Sequence, residues 1–160
     1  MIEINNLTNY AVDKKVFSTV AKIVLKGENR VTETISLAFV NKAEIKKINN
    51  KFRGKNKPTD VLSFNINERN YLGEIVICPD MVKPDKSAQR ILTGPSQSRQ
   101  KASLVGEDMI RVFIHGILHL CGYDHPDKVE DPRQRRDEKS KAKEKVMEAK
   151  EREYLSVIKF

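Results

Sequence analysis

Apolar residues recur along this chain with changing periods, and each change marks an element. Residues 1–5 read as a short strand. Between 10 and 26, Val12, Val16, Val20, Ile23 and Val24 fall near helical spacing, which predicts an amphipathic helix with Gly27 as its C-terminal stop. Residues 33–40 (ETISLAFV) are rich in β-branched and apolar types and predict a buried strand. Asn41 suits the N-cap of a helix over 42–52 that turns Ala43, Ile45, Ile48 and Phe52 inward. The Gly, Asn and Pro of RGKNKP then mark a loop. Two strands follow, 61–66 (VLSFNI) and 72–78 (LGEIVIC), close enough to pair as a hairpin across NERNY.

Beyond Pro79 the pattern weakens. Residues 80–92 have helical character that Pro84 interrupts, and 93–100 (TGPSQSRQ) read as a loop. From about Leu104 a helix runs to Cys121, with Ile110, Phe113, Ile114, Ile117, Leu118 and Cys121 on a broad apolar face. The last helix, 133–156, is highly charged, with a thin seam at Ala142, Val146, Ala149 and Leu155. This order suits an α+β fold, a single mixed β-sheet of about four strands with helices packed on it. A right-handed crossover makes at least one strand pair parallel. With 160 residues and no repeat, low-complexity tract or linker, one domain over 1–160 is expected.

Composition narrows the class. Hydrophobic residues at 39% and charged residues at 32% describe a globular chain with a heavily charged surface. No apolar stretch approaches the roughly 20 residues that span a bilayer. The opening MIEINNLTNY lacks the basic and apolar regions of a secretory leader, so a cytoplasmic location and reduced Cys78 and Cys121 are expected. The net charge of +8 is uneven. Seven basic residues between Lys42 and Lys57 face a single acid, Glu44, whereas the stretch from Asp127 onward nearly balances eleven bases with nine acids. Balanced charge is a solvated helix face. An unopposed basic run creates a local field that draws polyanions, so Lys51, Lys55 and Lys57 are candidate RNA contacts. A generic solubilising patch accounts for the same lysines.

The chemistry concentrates in HGILHLCGYDH, which holds all three histidines of the chain. His115 and His119 lie four apart on the expected helix and so share one face, the spacing of a zincin-like metal-binding helix. Gly122 suits the left-handed turn past a helix end, and Tyr123 and Asp124 allow the chain to bring His125 back toward the pair. Three converging nitrogens leave a fourth tetrahedral position open, which is the arrangement of catalytic rather than structural zinc. Without a metal, two imidazoles within an apolar helix incur the cost of unpaired burial. Cys121 falls about 200° around the helix from His119 and belongs to the core.

The same run resembles the H-G-x-L-H-L-x-G-Y-D-H signature of the YbeY family of metal-dependent endoribonucleases. NNKFRGKNKPTDVLSF and LGEIVICP resemble that family's other blocks, so the likeness extends from Ile35 to His125. It implies that His115, His119 and His125 hold one zinc ion per chain, and that Arg53 is the basic residue beside it. It also implies a single-sheet α+β fold and cleavage of single-stranded RNA in bacterial ribosomal RNA maturation, with the ribosomal subunit as partner. Two segments depart from the pattern. Residues 84–101 lack the usual regular helix, and 126–138 are longer and more charged.

On this reading zinc activates water and polarises a phosphoryl oxygen, while Arg53 offers two parallel N–H donors to the scissile phosphate. Asp124 would orient an imidazole or a water, or else simply hold the loop. Thr59 and Asp60 either line the cleft or cap the strand that follows. One rival is an RNA-binding ribosome assembly factor in which the metal only organises the fold. Another, a zinc metallopeptidase, needs the glutamate of H-E-x-x-H, and here Gly116 occupies that position.

Overall fold

The computed structural model describes residues 1–83, 106–123 and 138–158. Its elements are β1 (Ile2–Asn6), α1 (Lys14–Gly27), β2 (Thr34–Phe39), α2 (Lys42–Arg53), β3 (Val61–Glu68) and β4 (Tyr71–Ile77), then a 3-10 turn at Pro79–Met81, α3 (Glu107–Leu120) and α4 (Glu138–Val157). The strands form one mixed sheet in the order β1-β2-β4-β3. β1 and β4 both run parallel to β2, and β3 pairs antiparallel with β4. The α+β class, the mixed four-stranded sheet, the hairpin and the parallel pairing are as the pattern of residues implies.

The side chains that end each element explain where the boundaries differ. α1 starts at Lys14 rather than near Tyr10 because the Asp13 carboxylate accepts from the backbone N–H of Lys15 and Val16. Asn41 caps α2 as expected, its side chain accepting from Glu44 N–H at 2.9 Å. α2 then closes on Gly54, whose φ of +66° is left-handed, so Arg53 is the last helical residue and not part of the loop. The hairpin turn is tighter than NERNY, because β3 continues to Glu68 and Asn70 takes a φ of 64°. Residues 80–83 contribute only the 3-10 turn, and the rest of the expected helix over 80–92 lies outside the described residues. So do the loop at 93–100 and the segment 126–137.

Strand alternation sends β4 side chains to opposite faces. Ile75 and Ile77 join a large core with α1, α3 and α4, while Val76 and Cys78 join a smaller one with Ile45 of α2 and Leu62; Leu72 joins the large core across a register break in the pairing with β2. Phe17 packs edge-on against Phe39 at 5.1 Å and Phe113 at 5.4 Å, which locks α1, β2 and α3 together. Two inward faces differ from expectation. In α2, Ala43 and Phe52 are exposed, and the buried positions are Ile45 and Asn49. Asn49 donates to Lys57 C=O at 2.7 Å and holds the basic loop against its own helix.

The correction in α4 bears directly on function. Val146 and Ala149 face outward, and the buried residues are Met147, Tyr154 and Ile158. The inward stripe therefore runs 147, 151, 154, 158 at helical spacing, and Glu151 is one of its members. No helix among the described residues is long and apolar enough to cross a membrane.

Candidate functional site

α3 is held rigidly enough to serve as a platform. A Cβ at Gly116 would lie 2.9 Å from Ile75 Cγ2 and 3.2 Å from Ser63 Oγ, so the glycine lets the helix settle on the sheet. Position 116 thus faces the sheet, opposite to the role of the glutamate in a peptidase helix. The far end of α3 is closed by paired bonds, Gly122 N–H to His119 C=O and Tyr123 N–H to Leu118 C=O, each 3.0 Å, with Gly122 at a φ of +98°. Asn65 of β3 donates to Leu120 C=O at 3.0 Å and ties the same end to the sheet.

On this platform His115 and His119 meet as their spacing requires. Their rings are edge-on, with centroids 4.6 Å apart, and the two Nε2 atoms approach to 3.1 Å. Two nitrogens on a tetrahedral zinc with bonds of about 2.0–2.1 Å lie roughly 3.3 Å apart. The pair therefore already spans close to one edge of such a polyhedron, and the donor set fits the ion that the resemblance implies. The other nitrogen of His115, Nδ1, is 2.6 Å from Glu151 Oε1 on α4. A carboxylate on the second ring nitrogen is the usual partner of a metal-bound imidazole. Among the described residues no group of three or more metal-ligating side chains converges. His125 and Asp124 lie outside the described residues.

Cys121 ends α3 with its thiol packed against the core, and burial pushes its pKa up to about 12. The thiol holds its proton at neutral pH. Cys78 is buried, unpaired with Cys121, and burial raises its thiol pKa too.

The histidines open onto a cavity of about 710 Å³ between α3, α4, β3 and the end of α2. Arg53 lines it, and so do Thr59 and Asp60. Asp60 also accepts from Thr59 Oγ1 and Val61 N–H at 3.1 and 3.0 Å, so it both caps β3 and borders the cleft. Lys51, Lys55 and Lys57 are not part of the lining. The Lys51 ammonium lies 5.2 Å from the exposed Phe52 ring. The opposite wall, on α4, is acidic through Glu144, Glu148 and Glu151. Arg111 of α3 lines the cleft too, so its basic side chains are Arg53 and Arg111.

Two residues of this region carry no signal in the sequence. Glu151 stands 36 positions from His115. Glu28, just past α1, accepts from Tyr123 Oη at 2.9 Å and from Tyr154 Oη, and Lys150 Nζ lies 3.5 Å away. Burial, then the bond to Glu28, raises the pKa of both tyrosines. Glu28 thereby fastens α4 and the turn after α3 to one point.

A family model described as endoribonuclease YbeY matches residues 3–159. The chain belongs to the YbeY family. A relative named endoribonuclease YbeY from Bdellovibrio bacteriovorus is 39% identical over 104 residues, which make up 65% of this chain and 61% of that protein. One from Thermotoga maritima is 37% identical over 91 residues, 57% of this chain and 53% of its own. The chain thus spans under two thirds of the length of these two YbeY relatives. Over 127 residues it is 36% identical to the Persephonella marina protein of the same name, covering 74% of each. A solution structure from Thermotoga maritima aligns with a TM-score of 0.55 at 27% identity, covering 97% of this chain and 87% of that one.

Proposed function

We propose that this YbeY-family chain is a zinc-dependent endoribonuclease that cuts single-stranded regions of ribosomal RNA during ribosome maturation in the cytoplasm. One zinc ion per chain is held by His115, His119 and His125. The observation that carries this reading is the 3.1 Å approach of the two imidazole Nε2 atoms at the wall of a cleft that Arg53 also lines. The names of the relatives support the reaction class.

A zinc ion at this position supplies Lewis-acid polarisation of a phosphoryl oxygen and activation of water near neutral pH. The rest falls to the chain. Arg53 binds the scissile phosphate through two parallel N–H donors and stabilises the charge that grows on its oxygens. The acidic α4 wall disfavours the phosphate on the opposite side and so sets its orientation. Lys51, Lys55 and Lys57 hold the flanking backbone phosphates and contribute affinity without sequence preference. Asp124 orients His125 or a water molecule from the turn after α3.

The reading is tested by incubating the pure protein with ribosomal RNA and with casein, each with and without a chelator, while circular dichroism follows the fold. RNA cleavage that the chelator silences in a folded protein is the expected result. A chelator that unfolds the protein, with no cleavage before its addition, identifies a metal-stabilised assembly factor instead. Casein hydrolysis would contradict the reaction class.

A further inference from the structure

The geometry points to Glu151 as the positioning carboxylate of the metal centre, fixing the proton of His115 on Nδ1 so that its Nε2 lone pair faces His119. This inference rests on the metal reading above. Glu151 Oε1 lies 2.6 Å from His115 Nδ1, with the two side chains only 13% and 26% exposed. A carboxylate at that distance accepts the Nδ1 proton, and the tautomer then follows, because a neutral imidazole carries one proton. The carboxylate also raises the basicity of Nε2 and holds the ring plane, which sits edge-on to His119.

A simple tie between helices is the competing explanation. α4 is already docked by Met147, Tyr154 and Ile158, and it is anchored at Glu28 through Tyr154 and Lys150. An inward-facing glutamate adds a desolvation cost that docking does not require. Its neighbours on the stripe, Met147, Tyr154 and Ile158, are apolar or aromatic, whereas position 151 carries a carboxylate to His115. Glu151 is therefore placed for His115, and α4 belongs to the metal site.

The test compares Glu151→Gln, Glu151→Ala and, as a control on the exposed side of α4, Glu153→Gln. Zinc affinity is measured by competition with a chromophoric chelator, and the visible spectrum of the cobalt-substituted protein reports ligand geometry. ¹⁵N NMR of the metal-free protein reads the His115 tautomer. The wild type should show a protonated Nδ1. Glu151→Ala should lose about 10–100-fold in zinc affinity, alter the cobalt spectrum and mix the tautomers. Glu151→Gln keeps an acceptor of the same shape, so it should retain the tautomer and lose less affinity; Glu153→Gln should match the wild type. If both Glu151 variants bind zinc as the wild type does, or if His115 carries its proton on Nε2, the inference is overturned. A wild type that binds no zinc instead removes the metal reading itself, and the inference with it.

Discussion

Gly27→Ala separates what a helix wants locally from what this fold needs. Gly27 is the last residue of α1, so propensity alone expects alanine to help by up to about 1 kcal/mol. The structure reverses the sign. A Cβ here would overlap the Tyr154 hydroxyl and lie 2.8 and 2.9 Å from two of its ring carbons. That ring is 5% exposed and belongs to the main core, so it has little room to yield. Overpacking of this kind costs about 1–3 kcal/mol. Displacing the hydroxyl from the Glu28 carboxylate costs about 1.5–3 kcal/mol more for a charge-assisted bond, offset by the remaining Tyr123 and Lys150 partners. A net loss of about 2–4 kcal/mol is expected, which lowers the melting temperature by roughly 5–15 °C in a chain of this size. Thermal unfolding followed by circular dichroism measures it. In a Tyr154→Phe background the hydroxyl overlap is gone, so the penalty of Gly27→Ala should shrink by more than about 0.5 kcal/mol. A melting temperature unchanged or raised by Gly27→Ala would refute the packing of α4 on α1 described above.

Three further outcomes are expected. Arg53→Lys keeps the charge but loses the planar fork, so RNA cleavage should fall about 10²–10³-fold with zinc content near wild type, whereas Lys55→Ala and Lys57→Ala should mainly weaken RNA binding and flatten its salt dependence. Cleavage by Arg53→Lys at the wild-type rate would remove Arg53 from the chemistry. Gly116→Glu, which restores the peptidase motif on paper, should destabilise the fold by at least about 3 kcal/mol and yield no casein hydrolysis, because the side chain enters the sheet contact at Ile75 and Ser63. A stable, proteolytic variant would contradict that geometry. Cys121 should resist alkylation at pH 8 in the folded protein and react on unfolding, since its folded pKa of about 12 leaves almost no thiolate, and Cys121→Ser should keep its metal.

Where sequence and structure agree, the signal is local. The Asn41 cap, the ETISLAFV run and the i, i+4 histidines each carry their meaning within a few residues, so β2, α2 and the paired imidazoles were all foreseeable. The misreadings have tertiary causes. Gly27 does end α1 as its sequence suggests, but its second role, leaving room for Tyr154 from the other end of the chain, has no local signal. Phe52 reads as core, but its ring lies exposed beside Phe64 at 5.0 Å. The apolar residues of α4 alone do not trace its inward stripe, because a glutamate turned toward His115 breaks their period. A half-buried carboxylate reveals its purpose only when its partner, 36 positions away, is in view. Arg53 stood out through family resemblance and its basic neighbours. Its place on the wall that His115 and His119 share needed the fold.

The most direct test of the account is a zinc titration of the metal-free protein in which cleavage of a single-stranded ribosomal RNA fragment is followed at each addition. Activity should rise from the background and break sharply at one equivalent per chain, because three histidines make one site. Activity that is present without zinc, or that shows no break at one equivalent, would contradict the claim that His115, His119 and His125 hold the ion on which cleavage depends.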